Sequence, residues 1–380
     1  MYSIAALCIA LAASSTILTS CEDDEDKTTT EVSGELENGS TISGDITSNT
    51  TLAEGYEYKL SGGVHVKEGA TLTIKPGVKI TAIDDDTPDY ILIEQGAKID
   101  AQGTASNPIV MTSETPENKW GGIHICGKAH TNAESGSGSS EIGGAKYGGS
   151  DDKDNSGTLR YIRLEYTGFA LDEEHEANGI SFYGVGSGTT VDHIESYKGG
   201  DDGFEFFGGS VNVNNMVSFD SSDDSFDWTE GWNGSATNIL AYQMSAEDDC
   251  LIEADNNGKN YDAVPVSRPT IKNAILIGNG GDGRGIRLRA GTQVILDNVV
   301  ACGKNMPLTV ETGQTETALK NGDATITNTT ISANLNSKES IYTNEDFIKE
   351  PTNNIDATGI TIEAAKGLNS WLNESWIVLE

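Results

Sequence analysis

From about residue 50 onward, hydrophobic and polar positions alternate in short runs broken by Gly, Asn and Asp. Val64-His65-Val66, Thr71-Leu72-Thr73-Ile74, Val78-Lys79-Ile80, Ile91-Leu92-Ile93 and Ile109-Val110-Met111 are examples. A two-residue period held over such short runs, with no helical stretch between them, predicts β-structure. Three consecutive segments indicate how the strands connect. Residues 191–207 read VDHIESYKGGDDGFEFF, residues 211–228 VNVNNMVSFDSSDDSFDW and residues 237–253 TNILAYQMSAEDDCLIE. In each, a Val/Ile-bearing strand leads through a turn and an Asp-Asp pair into a second apolar strand. The pairs fall at 201/202, 223/224 and 248/249, and residues 270–289, with Asp282, and 294–310 continue the series. Each unit is too small to bury a face of its own, so the repeat specifies a solenoid. Units made only of strands and turns specify a single-stranded, right-handed parallel β-helix, all-β, with coils stacked at ~4.8 Å. It is expected to span residues 46–380, its end capped by Trp371, Leu372, Trp376, Ile377, Val378 and Leu379.

Composition narrows the partners. The 380 residues carry 24 Lys and Arg against 59 Asp and Glu, a net charge of −35. Such a chain repels phosphate backbones, which argues against nucleic acid. It disfavours polyanionic substrates unless a cation mediates, and makes Ca²⁺ a natural partner.

The N-terminus bears on location. Residues 1–20 are uncharged and hold the apolar run Ile4 to Ala13, too short to span a bilayer comfortably and suited to a signal peptide. It ends in Leu18-Thr19-Ser20-Cys21, which resembles the bacterial lipobox with Cys21 as the lipidated residue. Glu22-Asp23-Asp24-Glu25-Asp26 follows and resembles the export signal that sends Bacteroidota lipoproteins to the exterior of the outer membrane. Residues 21–45, rich in Glu, Thr, Ser and Gly, then read as an acidic tether. Of the remaining cysteines, Cys126, Cys250 and Cys302, an odd number excludes complete pairing, and buried apolar roles are expected.

Further resemblance lies in WGGIHICGKA (120–129), GTLRYIRLEYTG (157–168) and GVGSGTTVDHIESYKGGDDGFEFFGGSVN (184–212). These resemble uncharacterised β-helix surface lipoproteins of Bacteroidota, which implies a fold and a location rather than a reaction. Asp248-Asp249-Cys250-Leu251 with Arg284-Gly285-Ile286-Arg287-Leu288-Arg289 resembles polygalacturonase-type β-helix enzymes, with Asp223 and Asp224 supplying the preceding coil's acids. Those enzymes carry a His-Gly between the two motifs, and residues 251–283 contain no histidine.

If Asp201, Asp223 and Asp248 are equivalent, neighbouring carboxylates ~5 Å apart repel by ~3 kcal/mol at an effective dielectric of ~20. Three roles stand open for this strip. Aspartates of this kind initiate turns by accepting backbone N–H bonds. With Asp202, Glu205 and Asp227 on the outward side of alternating aromatics, they also form a strip for Ca²⁺ or substrate. In the third role Asp223, Asp224, Asp248 and Asp249 are catalytic, because an inverting glycosidase needs two carboxyls, one protonated and one ionised. Arg287 and Arg289 face outward beside Glu253, either as a salt-bridge ladder or as a clamp for a sugar carboxylate. Trp232, in a Gly-flanked loop, either stacks on a sugar ring or packs on the helix. Asp152, Asp154 and Ser156 form a D-x-D-x-S-G run with the oxygen spacing of a Ca²⁺ loop, against the plain alternative of a solvated acidic turn. The expectation is a surface lipoprotein, membrane-anchored through lipid at Cys21, that binds a glycan or an outer-membrane protein and is stabilised by Ca²⁺. A polysaccharide hydrolase, a Ca²⁺-dependent lyase and a structural or adhesive component are the alternatives.

Overall fold

The computed structural model describes residues 34–380 apart from 86, 173 and 174. The signal segment 1–20, Cys21 and the first part of the tether lie outside the described residues. Gly, Asn and Asp interrupt the chain so often that each strand pairs with its counterpart one coil away. One face consists of Tyr90–Ile93, Ile123–Cys126, Ile180–Tyr183, Phe204–Phe207, Phe226–Thr229, Ile252–Ala254, Arg284–Leu288 and Met306–Val310, each parallel to the next. Gly157–Glu165, Thr190–Tyr197, Asn212–Phe219, Ser235–Tyr242, Thr270–Ile277 and Ile295–Cys302 make a second parallel ladder. The fold is the expected right-handed parallel β-helix.

Each strand of the second ladder turns a corner at one residue with positive φ: Tyr161, His193, Asn215, Asn238, Asn273 and Asn298. Asparagine tolerates this conformation better than most L-residues. Here its amides also bond along the axis, from Asn298 to Asn273 and from Asn273 to Asn238, both at 2.9 Å. The interior is one apolar column, in which Phe182 stacks on Phe206 (4.9 Å between rings) and Phe204 on Phe226 (5.3 Å).

Both ends differ from the sequence reading. The ladder already runs at Gly34–Leu36 and Thr41–Ile46, ahead of the residue-46 boundary, because Ile42 and Ile46 enter the core. At the other end the column is closed by helices α1 (Gly313–Asn321) and α2 (Asn344–Lys349), through Leu319 and Phe347. The final segment, with α3 (Ile362–Leu368), does not cap the end. It runs back along the flank, where Val217, Leu240 and Ile275 point outward and need cover. Trp376 is fully buried there, Ser375 Oγ donates to Ala105 O (2.7 Å), and Tyr197 Oη donates to Glu380 O (3.0 Å). Val378 N donates to the buried Glu195 carboxyl (3.0 Å).

Candidate functional site

On the first face, alternation sends Phe204, Phe206, Phe226 and Trp228 inward and leaves Glu205 and Asp227 outward. The register continues Glu205–Asp227–Glu253–Arg287, so three acids stack before a cation ends the row. The turn leading into each strand adds the Asp pairs. Gly203 lets that turn press close, since a Cβ there would lie 2.5 Å from Ser218 Oγ and 2.6 Å from Ser225 O. The result is a cleft of about 300 Å³ lined by ten carboxylates (Glu141, Glu176, Asp201, Asp202, Glu205, Asp223, Asp224, Asp227, Asp249 and Glu253) with Asn178 and Arg287.

The Asp pairs sit one residue away from the alignment expected from sequence. Asp224 N donates to Asp202 Oδ1 (2.9 Å) and Cys250 N donates to Asp224 Oδ1 (2.6 Å), so Cys250 occupies the place of Asp202 and Asp224 one coil on. Asp249 therefore follows Asp201 and Asp223. Asp248 does not line the cleft. Its Oδ2 accepts from Ser245 N (3.0 Å), and its carbonyl accepts from Lys304 Nζ (2.6 Å). That is the turn role, and it removes Asp248 from the candidate catalytic set.

Such crowding cannot leave every group ionised. Burial, followed by like-charged neighbours, pushes Asp202, Glu205, Asp224 and Asp227 well above the usual carboxylate range. The same causes lift Asp201 to about 7, Asp223 to about 6 and Glu141 to about 7. Few protein donors reach the acids: Asn178 Nδ2 donates to Glu205 Oε2 at 2.6 Å. Asp201 Oδ2 and Asp227 Oδ1 are buried with no partner, and Asp201 is only 7% exposed. Side-chain atoms converge within 4.8 Å in three groups, namely Asp201–Asp202–Asp223, Asp202–Glu205–Asp227 and Asp224–Asp249–Cys250–Glu253. Hard oxygen ligands in such sets suit a divalent cation.

Arg287 closes the row as a salt-bridge ladder. Its Nη1 meets Glu253 (2.6 Å) and its Nη2 Glu311 (3.3 Å), while Arg289 bridges Asp255 (2.6 Å) and Glu253. Their guanidinium groups are committed to protein carboxylates, so neither is a free clamp for a sugar acid. Trp232 is not exposed. It is fully buried, stacked on Phe206 (4.1 Å), and its Nε1 donates to Val211 O (3.1 Å). Apolar packing outweighs exposure for so large a ring, and among the described residues no aromatic side chain lines the cleft. Asp152 and Asp154 are engaged by different protein groups, and Ser156 bonds to Asp154. Asp152 Oδ1 meets His130 Nδ1 (2.6 Å), while Asp154 Oδ2 accepts from Lys128 N (3.2 Å) and Ser156 Oγ (3.3 Å). The loop they end folds over the cleft flank, where Tyr147 Oη donates to Glu230 (2.8 Å) and Tyr183 Oη to Glu141 (3.2 Å).

Glu141, Glu176, Asn178 and Glu253 are cleft residues that the sequence did not single out as site residues. Glu253 was within reach, since it holds the strand position of Glu205 and Asp227. Glu141 arrives from a long loop with no repeat to place it. No curated protein and no solved structure matches the chain. The sequence model of the pectate-lyase-like β-helix domain matches residues 44–377, nearly the whole ladder and the flank segment. Such a fold fits a polysaccharide-associated protein, and by this match the chain belongs to the pectate-lyase-like β-helix domain family.

Proposed function

We propose that this protein is a lipid-anchored outer-membrane protein, facing the cell exterior, that holds polysaccharide through divalent cations in the acid cleft. The observation that carries the reading is the convergence of ten carboxylates, with Asp201 Oδ2 and Asp227 Oδ1 buried and unpartnered. A Ca²⁺ ion takes six to eight oxygens, satisfies those atoms and relieves the repulsion among them. Its remaining positions accept sugar hydroxyls or carboxylates, which an uncompensated cleft of this charge would exclude. Support for the location is confined to the sequence around Cys21. Calorimetric titration of residues 22–380 with Ca²⁺, followed by a polysaccharide panel with and without EDTA, tests the reading. Micromolar to millimolar Ca²⁺ binding and Ca²⁺-dependent retention of a polymer are expected. Absence of bound metal by elemental analysis, with a melting temperature indifferent to EDTA, would sink it.

A second reading is favoured by one observation. Asp201 and Asp223, lifted to about 7 and about 6, are neighbouring carboxyls held near neutrality one coil apart, where one can keep the proton that the acid of glycoside hydrolysis needs. Against it, Asp201 and Asp223 have oxygens within 4.8 Å, short of the ~6.5–9.5 Å that admits an attacking water in inverting enzymes. Release of reducing ends that disappears in Asp223→Asn and Asp249→Asn would favour hydrolysis, and unsaturated products would mean a lyase.

A further inference from the structure

A second cavity lies away from the acids. It is an open groove of about 610 Å³ between the 255–269 loop and helix α1, two adjoining parts of the same side of the solenoid. We propose that this groove is a saccharide-binding site for a neutral pyranose chain, independent of the cation cleft.

Four observations lead there. First, Tyr261 is 40% exposed and Val264 80% exposed, and Ile341, also exposed, lines the same groove. A phenol ring and an isopropyl group offer the flat apolar contact that the C–H face of a sugar takes. Second, Asp262, Gln293, Gln314 and Asp323 line the same groove, and no side chain of these four hydrogen-bonds to protein. Amides and carboxylates together provide the paired donors and acceptors that sugar hydroxyls require. Third, among the described residues the charged groups in the lining are these two acids, so an acidic sugar or a phosphate is disfavoured and a neutral ring favoured.

Fourth, the groove is held in shape before any ligand arrives. Asn256 is fully buried and donates from Nδ2 to Tyr261 O (3.1 Å) and Ala263 O (2.9 Å), while its Oδ1 accepts from Ser267 N (2.8 Å). Gly291 N donates to Thr315 Oγ1 (3.0 Å), tying the next coil to α1. Gly291 has φ +86°, and a Cβ there would sit 2.1 Å from Tyr261 O, so only glycine allows the loop to lie this close. A preformed wall lowers the ordering cost of binding.

The test is saturation-transfer NMR on residues 22–380 in excess EDTA, with hexasaccharides of glucose, xylose, mannose and galactose as probes. Transfer to the ring C–H protons of at least one probe is expected. Affinity should fall at least tenfold in Tyr261→Ala and in Gln293→Ala, each with a melting temperature near that of wild type. Asp202→Asn and Asp223→Asn should leave it unchanged. Lack of transfer from all four probes overturns the proposal, as does binding that survives Tyr261→Ala. Binding that appears only with Ca²⁺ and disappears in the cleft variants also overturns it, while supporting the cleft as the glycan site. If instead the cleft proves inert and this binding persists, the groove stands alone.

Discussion

Replacing Asp201 by Asn separates the cost of the acid cleft from its use. The Asp201 carboxyl is 7% exposed, its Oδ2 has no partner, and burial among acids lifts it from 3.8 to about 7. Between those two values the folded protein keeps a proton that the unfolded chain has lost. The stability this one group contributes without metal therefore falls as pH rises through that window and levels off above about 7. The full displacement corresponds to ~4 kcal/mol, a ceiling because neighbouring acids share the charge. For about 350 ordered residues at ~2.1 cal/mol/K each, this is ~5 °C in melting temperature. Asn carries no charge, so in EDTA the variant should lose the Asp201 share of the wild-type decline between pH 4 and 8, keeping that of the other raised acids, and be the more stable protein at pH 8. Ca²⁺ should reverse the order. At a hundred times its dissociation constant it adds ~2.7 kcal/mol to wild type, and the variant should gain far less. Scanning fluorimetry across pH with EDTA or Ca²⁺ reads both arms. Parallel pH profiles in EDTA, or equal Ca²⁺ gains, would refute the argument.

Two further outcomes follow from burial. Trp232→Ala should cost ~3–5 kcal/mol by urea denaturation, since the ring is fully buried against Phe206 and Trp228, yet leave Ca²⁺ affinity of the folded fraction unchanged. Burial pushes the Cys126 thiol up to about 12 and raises those of Cys250 and Cys302, so native protein at pH 7.5 should resist iodoacetamide for hours and react fully in urea, read by intact mass.

The fold was legible because its determinants are local and repeated. Alternation placed Phe204, Phe206, Phe226 and Trp228 inward, and the Asp-Asp pairs marked each passage into the cleft face. Register was less legible. Asp248 and Asp249 offer two ways of continuing Asp201 and Asp223, and what decides between them is the coil-to-coil bond from Cys250 N to Asp224, invisible in one dimension. Trp232, left open between a sugar platform and packing on the helix, and the final segment, expected at the end of the column, could not be placed from sequence for a common reason. A loop Trp and a terminal apolar run both need cover, and only the assembled column reveals which surface lacks it: the space beside Phe206 for the first, and the flank of Val217, Leu240 and Ile275 for the second. The Asp152–Asp154–Ser156 run has the spacing of a cation loop, but its oxygens are already engaged by His130 and Lys128.

The end of the acid row argues that its acids are retained for a ligand. At the position that holds Glu205, Asp227 and Glu253, the next coil holds Arg287, which pairs Glu253 with Glu311. The site therefore accommodates a guanidinium, and a protein under selection for stability alone would alternate signs down the row. Asp227→Arg imposes that alternation. Its guanidinium would lie between Glu205 and Glu253, supplying donors to two carboxyls and removing the unpartnered Asp227 oxygen. In EDTA at pH 8 the variant should melt above wild type, whereas calorimetric Ca²⁺ binding and Ca²⁺-dependent polymer retention should fall by at least tenfold. A variant that melts below wild type in EDTA would mean that the acids serve the fold itself, and a variant that keeps full Ca²⁺ affinity would place the cation elsewhere.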